Sequence, residues 1–181
     1  MASSGSINSS ICKKDRRQDW SLPDYLIYYV TKNPSSSKVW QNFTETCKYF
    51  YAKNPVIVIQ ELSFYEKKWS AAKYRIYPYH ALMYLDFTTL SCKFWVTDIF
   101  DMFFMKGDSN IVSLVLPHLY RVDARVVHLY KQTISYDEFL FLSSNVEAIY
   151  FEKTIIKIGN DTLVSLENLI KVLPKATHIE L

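Results

Sequence analysis

Three segments in the C-terminal half align without a gap: Ala124–Leu129, Val146–Phe151 and Ala176–Leu181. Each has an apolar residue at its first, fourth and sixth positions. These are Ala124, Val127 and Leu129; Val146, Ile149 and Phe151; Ala176, Ile179 and Leu181. The fourth and sixth positions carry the period of two of a strand with one buried face. An amphipathic helical stretch precedes each strand, at Ile111–Tyr120, Tyr136–Leu142 and Ser165–Leu173. The first two strands start 22 positions apart and the last two 30 apart, with a turn at Gly159, Asn160 and Asp161 inside the longer step. One strand and one helix per step of roughly 20–29 residues describe a leucine-rich-repeat-like solenoid. One such unit cannot bury its own apolar face, so stacking of units must build the core. A weaker copy falls at Phe94 and Val96. The competing reading is ordinary α/β alternation without repetition.

The rest of the chain divides around this array. Residues 1–20 are rich in Ser and charge and have little to bury, which predicts a disordered tail. Residues 21–55 predict a helical segment. Ser21 can cap a first helix and Pro23 can sit in its first turn. Tyr25, Leu26, Tyr29 and Val30 give that helix an apolar stripe, and Asn33-Pro34 ends it. A second helix, from about Lys38 to Ala52, lines up Val39, Trp40, Phe43, Cys47, Phe50 and Tyr51 on one face. Residues 56–181 form the strand–helix repeat domain. It opens on Val56, Ile57, Val58 and Ile59, a β-branched run that reads as a buried strand. In residues 61–80, Glu66–Trp69 fit a helix or a loop, and Tyr74, Ile76 and Tyr77 fit a strand. The expected architecture is α/β, with a short N-terminal helical segment followed by a small leucine-rich-repeat-like strand–helix solenoid.

The chemistry-bearing residues point away from catalysis. Only 3 glycines occur in the 181 residues, and no glycine-rich loop is present to bring backbone N–H groups onto a phosphate. The histidines, His80, His118, His128 and His178, form no metal-binding spacing. His128 and His178 fall on the strand face opposite the core. Cys12, Cys47 and Cys92 are odd in number and widely spaced, which suggests neither a disulfide framework nor a zinc site. Asp137 and Glu138 follow Ser135 at a helix start, where negative charge offsets the helix dipole. The aromatic cluster of Phe94, Trp95, Phe100, Phe103 and Phe104 reads as core or interface. A net charge of +3, from 21 basic and 18 acidic residues, lacks the basic bias usual in a nucleic-acid binder, and RNA binding through exposed Tyr and Lys is left as a third alternative. The basic group Lys13, Lys14, Arg16 and Arg17 reads as part of a solvated tail. With no signal-peptide core or transmembrane run, an intracellular setting, cytoplasmic or nuclear, is expected. The expectation is a non-enzymatic protein with no catalytic residues, metal or cofactor.

The N-terminal segment resembles a divergent F-box through Leu22–Leu26, Val39–Gln41 and Cys47–Phe50. The wider chain is similar to a large family of nematode F-box-like proteins, which join such a segment to strand–helix repeats. Ser37–Trp40, Lys93–Val96, Ile134–Phe139 and Leu173–Lys175 carry that likeness. The resemblance implies a substrate-recruiting, non-catalytic subunit of a cullin-type ubiquitin ligase. Leu22, Pro23, Leu26, Val39 and Trp40 would then contact a Skp-type adaptor, and the repeats would hold an unknown target protein. The segment is shorter than a usual F-box, and Asn33–Ser37 replaces its middle helix. A protein-interaction module of repeat type, with the helices acting as an end cap and no ubiquitin role, uses the same residues.

Overall fold

The computed structural model describes residues 23–73, 83–103, 109–159 and 162–181. Pro23, expected in the first turn, is instead the N-cap of α1 (Asp24–Lys32), which stops at Asn33 ahead of Pro34; Ser21, the expected cap, lies outside the described residues. The Ser36 hydroxyl accepts the Val39 N–H at 3.3 Å and so starts α2 (Ser37–Thr46). The expected single second helix is two, because Cys47 takes an extended conformation before α3 (Lys48–Lys53). Then β1 (Val56–Tyr65) runs past its apolar start into a hairpin with β2 (Lys68–Ala72). Glu66 and Lys67 form the turn with φ of 49° and 64°, the two left-handed residues that a tight hairpin requires. The helix open to Glu66–Trp69 in the sequence is therefore a turn and a strand. The strand expected at Tyr74, Ile76 and Tyr77 lies outside the described residues.

β3 (Met83–Leu85) pairs with β2, and β4 (Lys93–Met102) returns parallel to β1. The stretch read as a helix from Ile111 to Tyr120 is shorter. It consists of α4 (Ile111–Val115), a 3-10 turn (Leu116–His118) and β5 (Leu119–Val122). Pro117 has no N–H to continue an α-helix. There follow β6 (Val126–Tyr130), β7 (Thr133–Ser135), α5 (Tyr136–Leu142), β8 (Ala148–Glu152), β9 (Ile155–Ile158), β10 (Thr162–Leu163), α6 (Leu166–Lys171) and β11 (His178–Glu180).

The result is a mixed α/β fold dominated by one sheet, ordered β11-β8-β6-β4-β1-β2-β3, with β5 beside β4. The strands from β11 to β1 are parallel. The aligned segments are register partners: Val127 pairs with Ile149 and Ile149 with Ile179. Backbone bonds of 2.8 Å link the equivalent residues Asp98, Arg125, Glu147 and Thr177, each N–H after the first donating to the carbonyl of the one before. The smaller sheet keeps the same 22-residue offset, with Thr133 opposite Ile155 and Ile134 opposite Ile156. The matching turns are alike too, since Lys131 and Lys153 both have φ of 53°.

The register moves the fourth copy. Phe100 pairs with Val127 and Met102 with Leu129, so the copy lies at Phe100 and Met102. Phe94 and Val96 instead pair with Leu119 and Val122 of β5. A slide of six residues keeps the same side chains inward, so alternation cannot choose between the two frames.

The inner face of the sheet builds the larger core, where Phe100, Val127, Ile149 and Phe151 meet Val112, Phe139, Leu142 and Leu169 from the helices. Among the described residues, the outer face is covered toward the strand starts, by a second cluster of Ile27, Trp40, Phe50, Val56 and Trp95. The buried side of α1 is Ile27 and Thr31. The expected stripe is reversed, because Tyr25, Leu26 and Tyr29 face outward.

Candidate functional site

Two surfaces stand out: the outward side of α1 and the uncovered part of the outer sheet face. The helical segment is fastened to the sheet by polar bonds at two points, and a third bond ties the end of α3 to α1 within it. Trp40 Nε1 donates to Val56 O at 3.0 Å, Asn54 Nδ2 to Thr31 O at 2.9 Å, and Tyr120 Oη to Lys32 O at 3.3 Å. This anchoring decides what the sequence-derived docking residues can do. Trp40 is 0% exposed. It is sealed between α1, α3 and the sheet, and offers no surface to a partner, contrary to the role the resemblance implied. Val39 is half-buried, Pro23 is exposed at the helix start, and Leu26 is 38% exposed. Leu22 lies outside the described residues. On the same outward side Tyr25, Tyr28 and Tyr29 are all more than half exposed.

The second surface comes from the alternation of the strands. Side chains between the core positions point outward, and register places them in a row: Ser63, Asp101, His128, Tyr150 and Glu180. Glu61 lies beside Ser63, whose hydroxyl donates to Glu61 Oε1 at 2.7 Å. His128 Nδ1 is 3.7 Å from Asp101 Oδ1, too far for a hydrogen bond. The Tyr150 ring meets His128 edge-on, with centroids 4.4 Å apart, and lies 5.0 Å from His178. A second row begins with Asp98, which accepts from Arg125 Nε and Nη2 at 2.9 and 2.7 Å, and Glu147 Oε2 lies 4.0 Å from Arg125 Nη1. Nearby, Asp123 accepts from Trp95 Nε1 and Arg121 Nε, both at 2.8 Å.

Ser63, Asp101 and His128 contain the residue types of a nucleophilic triad, but in the wrong order. A triad needs the imidazole between the hydroxyl and the carboxylate. Here the carboxylate lies between, and strand spacing sets Ser63 and His128 two strands, or roughly 10 Å, apart. Burial pushes the Asp101 carboxyl above the ordinary carboxylate range. Glu61 adds to that shift and His128 opposes it. Among the described residues no group of three His, Cys, Asp or Glu side chains is placed to hold a metal ion. Cys47 and Cys92 are free thiols. Cys92 is buried, and burial raises its pKa. Its neighbour Tyr51 is pushed up to about 12, mainly by burial. No described helix is long and apolar enough to cross a membrane.

His128 and His178 occupy the outer face, as the alternation implied. Phe94, Trp95 and Phe100 are core, Phe103 is exposed, and Phe104 lies outside the described residues. The sequence reading missed the row through Ser63, Asp101 and Tyr150. The signal was available in part, because the fifth position of the aligned segments reads His128, Tyr150 and Glu180. Asp101 joins them once Phe100 replaces Phe94 as the fourth copy. Compared with protein-family models, curated proteins and solved structures, the chain matches none of them.

Proposed function

We propose that this chain is a non-catalytic recruiting subunit of a cullin-type ubiquitin ligase, working in the cytoplasm or nucleus. In this reading the N-terminal segment docks on a Skp-type adaptor, and the outer face of a leucine-rich-repeat-like array holds the target. The observation that carries it is the outward face of α1. Tyr25, Leu26, Tyr28 and Tyr29 stand clear of the chain's own core, which suits a helix docked in another protein's groove. Leu22, Pro23, Leu26 and Val39 are the contact residues of this reading. Trp40 positions the segment from beneath.

A pull-down on purified Skp-type adaptor tests it. Wild type is retained, and Leu26→Asp and Leu22→Asp each lower retention at least ~tenfold, as expected for a central apolar contact. Leu26→Asp leaves the circular dichroism spectrum unchanged, because the side chain is partly solvated already. Absence of wild-type retention removes the ubiquitin role.

A second reading is an interaction module of repeat type without that role. The burial of Trp40 and its bond to Val56 O favour it, because they make α1–α3 a fixed cap on the sheet. End units of stacked arrays need such caps.

A further inference from the structure

β11 pairs with β8 and with no other strand among the described residues. In a parallel ladder, alternate residues turn both backbone groups toward the same neighbour. His178 donates its N–H to Glu147 O at 3.2 Å. His178 and Glu180 therefore face β8, and Ile179 turns its N–H and C=O to the open edge. One donor and one acceptor on a single residue are self-complementary about a two-fold axis. Two such edges, set antiparallel with Ile179 opposite Ile179 of a second copy, exchange both bonds.

The side chains fit the same register. It sets His178 opposite Glu180 of the second copy, and Glu180 opposite its His178. Within one chain these groups already lie 3.9 Å apart, Nε2 to Oε2, and both are exposed. On the core face Ile179 meets its own copy. Leu166, Ile170 and Leu181 stand exposed around it, at the rim of a shallow apolar dimple reaching in to Phe151 and Leu173. A short, charged edge resists indiscriminate pairing. A second copy is the partner in which symmetry sets each imidazole against a carboxylate.

The geometry points to an isologous dimer of this chain, formed by antiparallel pairing of β11 with β11 of a second copy and sealed by Leu166, Ile170 and Leu181. The large sheet then runs through both molecules. A three-residue strand alone is small for a stable interface, so the apolar rim is part of the site. The dimer is independent of any adaptor binding.

Sedimentation equilibrium of the 181-residue chain across the micromolar range tests it. A monomer–dimer equilibrium is expected. Glu180→Lys removes the carboxylate that faces each imidazole at two symmetric pairs and weakens the dimer roughly tenfold. The double variant His178→Glu with Glu180→Lys sets a carboxylate against an ammonium at both pairs and recovers the association. Leu166→Glu weakens it without touching the strand. The proposal is overturned by a chain that stays monomeric throughout, or by a dimer of unchanged affinity in Glu180→Lys and Leu166→Glu. Failure of the double variant to recover association overturns it equally.

Discussion

Trp40 shows how one residue can be read two ways. Beside Val39 in the sequence it resembles a docking side chain, whereas in the fold its indole fills the space between α1, α3 and the sheet. Trp40→Ala should destabilise the protein by about 3–5 kcal/mol in urea unfolding, the cost of deleting a buried large aromatic. Trp40→Phe keeps most of the volume but strips the Val56 carbonyl of its partner, for a loss of about 1–3 kcal/mol. A loss below about 1 kcal/mol in Trp40→Ala would show that the helices detach without consequence for the sheet. Glu66 and Lys67 make the opposite case. Both hold left-handed backbone without being glycine, a conformation that costs an L-residue roughly 1–2 kcal/mol. The double substitution Glu66→Asn with Lys67→Gly supplies the residue types that such a turn favours. It should raise stability by about 1 kcal/mol. An unchanged urea midpoint would contradict the strain.

At the scale of the element, local chemistry and packing divide the work. The start of α5 was legible, because Asp137 and Glu138 follow Ser135 where negative charge offsets the helix dipole, and the same residues can form a capping box. The fold realises it, with Glu138 N–H on Ser135 Oγ at 3.2 Å and Ser135 N–H on Glu138 Oε2 at 2.7 Å. Ser135→Ala should cost about 1 kcal/mol, while Ser135→Asp should retain most of that stability. Equal losses in the two variants would argue against a capping role. The C-terminal end of α1 was legible for a similar reason, since Pro34 acts through its own geometry. The buried side of α1 was not. Its tyrosines outnumber Ile27, but Tyr tolerates water at its hydroxyl end, so apolar spacing alone chose the wrong face. The frame of β4 escaped for another reason. It is ten residues long and offers two alternating stretches, and only pairing with β6 selects Phe100.

At the scale of the whole molecule, one sheet serves two purposes. Its inner face and the helices make the core, while part of its outer face has no helix over it among the described residues and carries the half-buried Glu61, Asp101, His128 and Tyr150. Asp101 records the tension between them, because packing against neighbouring strands raises its pKa. A carboxyl with a raised folded value keeps its proton to higher pH when folded than when unfolded. Above that value its charge opposes folding, and the penalty is relieved as pH falls through the raised value toward the ordinary one of about 3.9. Asp101→Asn should therefore be more stable than wild type near neutral pH. It should also lack the relative gain that wild type shows on acidification. Urea midpoints followed from about pH 7 to about pH 4 check this. A variant less stable than wild type at neutral pH would mean that attraction to His128 outweighs burial.

The sequence by itself determined the periodic parts of this protein. It specified the two apolar positions of each aligned strand, the outward histidines, the start of α5 and the proline stop of α1, and thereby a mixed α/β fold. These follow from interactions within a few residues, where alternation, caps and proline geometry act. Only the tertiary structure decided that Trp40 is core, that α1 shows its tyrosines to solvent, that Phe100 heads the aligned row, and that Ser63, Asp101, His128 and Tyr150 lie side by side. Each of those depends on which strand lies beside which, and a chain can slide by an even number of residues without changing its local pattern. Register is a long-range choice, made when the whole apolar surface is buried at once.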